Sequence, residues 1–268
     1  MVSFVVLAAV FAPVLSPIDP LRQFRDGLAQ NGTPLPPSER FVFGTDHLGR
    51  DMLSRTLYGA RLSLVISLAA NVVAALLGTL VGMLAGYYGG LLDTILMRFT
   101  DVLLAFPAIL LALGLGAVLR PSVPVVILIL TVITWPTMAR LVRGQTLTVR
   151  ERTYVESARS IGVPDQAILV RHILPQIVAV VLVWTTLSFA NTVLVESSLS
   201  FLGVGVPLPT PSWGNMIAEG QSRYRIAPWM IIIPTAGIII TTLGFNLLGD
   251  AVRDALDPRT TQRRIKAG

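Results

Sequence analysis

Cysteine is absent from the 268 residues, and lysine occurs once, at Lys266. Without cysteine there is no disulfide framework, no thiolate metal site and no cysteine nucleophile. A phosphate-binding loop of the form G-x-x-x-x-G-K-[ST] needs a lysine to reach the nucleotide phosphates. Lys266 stands between Ile265 and Ala267, so that motif does not exist here. Any ATP used in this protein's work must be bound by another chain, and no cofactor is expected in this one. Histidine is nearly absent as well. His47 and His172 are far apart in sequence, which argues against a histidine-rich metal site. Charged residues make up only 13% of the chain against 53% hydrophobic, about half the charged share of an average soluble domain. A soluble fold of this length needs more polar surface, so the composition indicates a membrane protein. The net charge of +6 is spread over the loops. It does not form the basic face interleaved with aromatics that nucleic-acid binding shows, so no nucleic-acid partner is expected.

What the chain has in abundance is uncharged sequence. The runs Met1–Ile18, Leu62–Leu92, Val102–Leu119, Pro121–Ala139, Ile173–Val195 and Ile226–Gly249 carry no charge. Each is close to the ~18 residues at which a spanning helix is the default reading. Six spans are therefore expected in an all-α membrane protein. Met1–Ile18 lacks a basic leading segment and a clear A-x-A site, so it reads as an uncleaved first span, with an upstream start as the alternative. A seventh run, Ser197–Ala218, holds Gly203, Gly205, Pro207, Pro209, Pro211 and Gly214. Such backbone cannot satisfy its polar groups in lipid, so it reads as a loop outside or at the edge of the membrane. Arginine and lysine are denser in the loops around 86–101, 140–172 and 250–268 than in the alternate set. This places those loops, and both termini, on the cytoplasmic side.

Gly78, Gly82, Gly86 and Gly90 recur every fourth residue in the second run. On a helix they form one narrow stripe, where a neighbouring backbone can approach closely. Gly89 and Gly90 are also a candidate turn at the helix end. Pro107, Pro136, Pro175 and Pro234 fall in or near spans and are expected to kink them. Trp213 and Trp229 read as members of an interfacial belt. Glu196 sits at the edge of the fifth run, where hydrogen bonding to the Ser197–Ser198 backbone is expected. Asp46, Arg50 and Asp51 either order their loop by local pairing or face a partner, and His47 reads as a solvated loop residue.

The most informative stretch lies between Arg140 and Pro175. Residues 150–162 read as a short helix on which Tyr154, Ala158 and Ile161 form an apolar stripe. Gly162 is a natural stop, because glycine tolerates the left-handed conformation. Pro164 then starts a new helix with Asp165 in its first turn. The spacing Glu156-Ser157-Ala158, three residues, Gly162, nine residues, His172-Ile173-Leu174-Pro175 resembles the E-A-A-x3-G-x9-I-x-L-P loop of bacterial ABC importer permeases. Ser157 replaces the second alanine and His172 replaces isoleucine. Other segments resemble the second-subunit type of the dipeptide, oligopeptide and nickel permeases. They are Gly44-Thr45-Asp46-His47-Leu48-Gly49-Arg50-Asp51, Glu196 to Gly203 with Pro211-Ser212-Trp213-Gly214, and Leu248-Gly249-Asp250 with Arg253 to Pro258.

The resemblance implies a six-helix type I ABC importer transmembrane domain (MetI-like) with a cytoplasmic coupling helix. It also implies a layout: a first transmembrane helix at 1–19, an extracytoplasmic loop at 20–61, the transmembrane domain at 62–250 and a cytoplasmic tail at 251–268. The partners it implies are a second permease subunit, two ABC ATPase subunits that bind ATP and magnesium, an extracytoplasmic solute-binding protein and membrane lipid. Glu156, Ser157, Ala158, Gly162, Leu174, Pro175, Tyr154 and Arg159 would couple the chain to an ATPase, with Tyr154 and Ile161 as apolar anchors. Gly78, Gly82 and Gly86 would pack helices. The chain would then be a transport subunit and not an enzyme, with peptides or related solutes such as nickel chelates as cargo. An ion-coupled secondary transporter would instead show charges at span centres and internal repeats, and a membrane-embedded enzyme would show a catalytic constellation. Neither is evident.

Overall fold

The computed structural model describes residues 1–256, and the Lys266 region and the Asp257-Pro258 end of the C-terminal signature lie outside them. Among the described residues every regular element is helical. They are α1 (Val2–Val10), α2 (Ala12–Leu15), α3 (Met52–Tyr88), α4 (Gly90–Ala105), α5 (Ala108–Val118), α6 (Val123–Arg150), α7 (Thr153–Ser160), α8 (Asp165–Ile168), α9 (Leu174–Phe201), α10 (Trp213–Gln221) and α11 (Trp229–Leu256). One π turn, Leu169–Ile173, joins α8 to α9.

Two compact units divide the chain. The first gathers Met1–Ala69, Ala112–Leu130 and Ala190–Phe245; the second gathers Ala70–Leu111, Thr131–Phe189 and the chain from Asn246 onward. Helices α3, α5, α6, α9 and α11 contribute residues to both.

Four helical stretches are long and apolar enough to cross a membrane: Met52–Tyr88, Val123–Arg150, Asp165–Phe201 and Trp229–Leu256. A fifth crossing is available only if α4 and α5 count as one span, and they are bent by 91°. One of the six expected spans is interrupted. The third run is broken because Phe106, the residue before Pro107, is extended, the conformation that a following proline imposes. The first run folds as α1 and α2. It stops at Ser16, which is extended and precedes Pro17.

Two boundaries also move. α3 begins at Met52, ten residues inside the loop expected to reach residue 61, because Arg55 is buried there in ion pairs. α11 runs on to Leu256, so the tail expected from residue 251 starts as helix.

The burial pattern of α3 is that of a helix in lipid. Val65, Leu68, Leu76 and Leu80 are exposed, whereas Ala70 and Ala74 are fully buried. In the second unit the stripe Gly78, Gly82 and Gly86 lies against α6. A Cβ on Gly78 would sit 2.5 Å from Met138 Cβ, one on Gly82 2.5 Å from the Ala139 carbonyl oxygen, and one on Gly86 2.7 Å from Thr146 Cβ. Small residues inside and bulky ones outside are what helix association without a hydrophobic driving force requires. The stripe therefore packs within this chain as far as Gly86, and Gly90 has nothing near it. Gly89 and Gly90, both at positive φ, make the turn from α3 into α4. The run Ser197–Ala218 is no span: it ends α9, turns through 202–212 and forms the short α10.

Candidate functional site

The 150–175 loop is built on the second unit. α6 continues to Arg150, whose Nη1 donates to the Gly86 carbonyl at 2.8 Å and so ties the ends of α6 and α3 together. The short helix is therefore α7, Thr153–Ser160, rather than the whole of 150–162. It ends as the sequence predicts. Gly162 has φ +82°, its N–H reaches the Arg159 carbonyl at 3.0 Å, and the Val163 N–H reaches the Ala158 carbonyl at 3.1 Å. This pair of bonds satisfies two otherwise orphaned carbonyls and fixes the exit direction of the chain. Pro164 caps α8, with Asp165 in its first turn.

The expected apolar stripe is corrected. Val155 and Ala158 are buried, in a core that includes Ile168, Leu169 and Ile173. Tyr154 is 39% exposed and Ile161 81% exposed. At about 100° of turn per residue, Tyr154, Ser157 and Ile161 share one outward face. Glu156, Ser157 and Arg159 are exposed, Leu174 packs partly against the core and Pro175 is exposed.

Three contacts absent from the sequence reading hold α7 in place. The Tyr87 hydroxyl donates to Asp165 Oδ1 at 2.6 Å. The Arg159 guanidinium lies 5.2 Å from the centre of the Tyr87 ring, within cation–π range. The Tyr154 and His172 rings are 6.4 Å apart. Tyr87 was legible only as one more aromatic at a helix end, because its partners lie some eighty residues away.

In the first unit the Gly44–Asp51 segment is ordered by local pairing, as one of the two sequence readings holds. Asp46 Oδ1 accepts from the N–H groups of Leu48 at 2.8 Å and Arg50 at 3.0 Å. Its Oδ2 accepts from Arg50 Nε at 2.5 Å and also pairs with Arg55. Asp51 accepts from the Ser54 N–H at 2.8 Å and caps α3. The second anion of this cluster comes from a distant part of the chain. Glu219 on α10 pairs with Arg50 at 3.1 Å and Arg55 at 2.7 Å. Asp46 is fully buried; burial raises its pKa, but Arg55, Arg50 and two backbone N–H groups outweigh this and hold it below the usual carboxylate value.

His47 is half-buried rather than solvated. Burial leads in holding its pKa below 6.5, with Arg50 and Arg223 acting the same way and Asp46 and Glu219 opposing. Asp46, His47 and Glu219 offer ligand atoms within 4.8 Å of one another. A dication there would compete with two guanidiniums for the same carboxylates.

Glu196 and Trp213 are also corrected. Glu196 is fully buried and is met by the hydroxyls of Ser200 at 2.8 Å and Ser197 at 3.4 Å, not by backbone. Ser200 Oγ in turn accepts from the Val206 N–H at 3.2 Å, so Glu196 anchors the returning loop. Trp213 is 2% exposed rather than interfacial, and its ring lies over Gly237 of α11. Trp229 is partly buried, and its Nε1 donates to the Thr45 carbonyl at 3.0 Å.

Comparison with known proteins agrees with this architecture. The family model described as binding-protein-dependent transport system inner membrane component matches residues 78–262. The chain is 45% identical to the glutathione transport system permease protein GsiD of Escherichia coli O6:K15:H31, over 96% of this chain and 84% of the relative. The GsiD protein of Shigella boydii serotype 4 matches with the same identity and coverage. Among solved structures, an inward-facing form of the MetNI methionine ABC transporter superposes with a TM-score of 0.64 at 18% identity, covering 77% of this chain and 98% of that one. An amino acid ABC transporter crystallised with histidines gives a TM-score of 0.59 at 17% identity, covering 75% and 94%. The chain belongs to the binding-protein-dependent transport system inner membrane component family, and is an ABC importer permease, a multi-pass membrane transport subunit and not an enzyme.

Proposed function

We propose that this permease forms, with a second permease subunit, the pathway of an ATP-driven importer for peptide-like solutes of about the size of glutathione. Two ABC ATPase subunits bind the ATP and magnesium, and an extracytoplasmic binding protein delivers the solute. The cargo class rests on the identity to GsiD. Both termini and the loop 150–175 are cytoplasmic in this reading, and the segment between α2 and α3 is extracytoplasmic. α7 is the coupling helix. The observation that carries this is the outward pair Tyr154 and Ile161 on a short helix whose other face is locked into the core by Val155 and Ala158. Large apolar side chains held rigidly outward, with Glu156 and Arg159 beside them, suit anchoring in a pocket on another protein. α7 meets α3 through Arg159 on the Tyr87 ring, and the flanking Arg150 and Asp165 bond the same end of α3, so a push on α7 reaches α3, α6 and α8 together.

The test is uptake of labelled glutathione and of a labelled dipeptide by cells carrying the whole transporter. Gly162→Asp places a side chain at φ +82°, and Glu156→Lys reverses a charge on the outward surface. Both variants are expected in the membrane at normal abundance, with uptake reduced to background. Normal uptake by both removes α7 from the coupling role. Normal uptake of other solutes with none of either peptide removes the cargo class alone.

A further inference from the structure

Helix α4 has two unlike faces. Leu91, Ile95, Phe99 and Val102 are exposed along one side. The other side, with the adjoining part of α6, lines an open cleft of about 480 Å³ whose walls carry Asp93, Arg98, Asp101, Arg140 and Arg143. Arg143 clamps Asp93 through two bonds of 2.5 and 2.6 Å. Arg140 meets Asp101 through one bond of 2.5 Å, with both side chains about half exposed. Among the described residues no carboxylate lies within 4.0 Å of the Arg98 guanidinium. The cleft therefore holds three guanidiniums against two carboxylates, with one guanidinium uncommitted. At about 100° per residue, Arg98 falls at the seam between the cleft and the apolar stripe, next to Leu91 and Val102.

We propose that this cleft binds the phosphate of an anionic phospholipid, with Arg98 as the principal contact and Arg140 as the second. The apolar stripe beside it lies along the acyl chains. An uncommitted cation at the border of an exposed apolar face on a helix of a membrane protein is the arrangement that takes up an acidic headgroup. Arg98 does not spend itself on a carboxylate of its own chain, and a planar guanidinium matches phosphate oxygens well. The apolar stripe selects a lipid over a free phosphate ion. This site stands apart from the coupling helix and depends only on the chain being in a membrane.

The experiment is native mass spectrometry of the assembled transporter in detergent, titrated separately with phosphatidylglycerol, phosphatidylcholine and inorganic phosphate. Phosphatidylglycerol is expected to bind in preference to phosphatidylcholine. Arg98→Gln is expected to weaken phosphatidylglycerol by about five-fold, the equivalent of roughly 1 kcal/mol per basic residue at a membrane surface, and Arg98→Lys to restore most of it. Asp101→Asn releases Arg140 and is expected to strengthen the same binding, which a merely structural role would not do. Equal binding of the two lipids, or no effect of Arg98→Gln, overturns the proposal. Displacement of the lipid by inorganic phosphate assigns the cleft to a free anion and overturns the lipid. Binding to the isolated chain but not to the assembled transporter assigns the face to a protein partner and overturns it as well.

Discussion

Asp46→Ala is expected to destabilise the folded chain by about 3–5 kcal/mol, the usual result of stripping one partner from a buried ion pair. Asp46 is the hub of a four-residue cluster with no exposed member. Arg50 and Arg55 are 3% and 0% exposed at the side chain, Asp46 is 1% exposed, and Glu219 is 14% exposed. Removing Asp46 leaves two desolvated guanidiniums sharing the single carboxylate of Glu219. It also frees the N–H groups of Leu48 and Arg50 that Asp46 now accepts. Glu219→Gln should cost less, because Glu219 lies nearer solvent and two cations would keep Asp46 as counter-ion. Thermal unfolding of the purified chain in detergent measures both, and equal midpoints for Asp46→Ala and the parent would contradict the assignment. The pH dependence has a definite sign. Because the pKa of Asp46 is lowered in the folded state, its contribution is fully present above the ordinary carboxylate range and is lost on acidification through the folded value.

Gly82→Leu is expected to abolish the folded yield, and Gly82→Ala to cost roughly 1–3 kcal/mol, as overpacking of a filled interior does. A Cβ at this position meets the Ala139 carbonyl oxygen at 2.5 Å, Val142 Cβ at 2.8 Å and the Arg143 nitrogen at 2.9 Å. Two of these three are backbone atoms of α6, so no side-chain rotation relieves the clash and the helices must part. Gly114→Ala in α5 is the control. Nothing lies within 4 Å of a Cβ there, so the change stays within about 0.5 kcal/mol. Folded yield by size exclusion, followed by thermal unfolding, separates the two sites. Equal behaviour of Gly82→Ala and Gly114→Ala would contradict the close approach.

Local features were legible in the sequence because local backbone chemistry decides them. The left-handed stop at Gly162, the start of α8 at Pro164, the turn at Gly89-Gly90 and the rejection of the run from Ser197 all follow from what glycine and proline permit. The glycine stripe was legible as a packing face, since a period of four on a helix has one geometric meaning. What remained hidden depends on distant partners. The pairing of Arg50 with Glu219 joins residues 169 apart in sequence, and each alone reads as an ordinary charge near a membrane boundary. The same blindness put Trp213 at the interface, when Gly237 opens a space for its ring inside the first unit. It also missed the inner face of α7, where Val155 and Ala158 turn into the core formed with Ile168, Leu169 and Ile173, which lie ten or more residues further on. The third charge-free run hid a break, since absence of charge does not report the bend that Pro107 puts between α4 and α5.

As a coupling helix, α7 is expected to seat its outward face on an ATPase subunit. The absence of cysteine from the chain makes a single introduced thiol a unique probe. In the assembled transporter, Ile161→Cys, carrying a short thiol-to-amine cross-linker, is expected to join this chain to an ATPase subunit, and Val155→Cys, facing the core, is expected to give no such product. Absence of the Ile161→Cys product in a transporter that still takes up its solute, or an equal yield from both positions, would contradict the account.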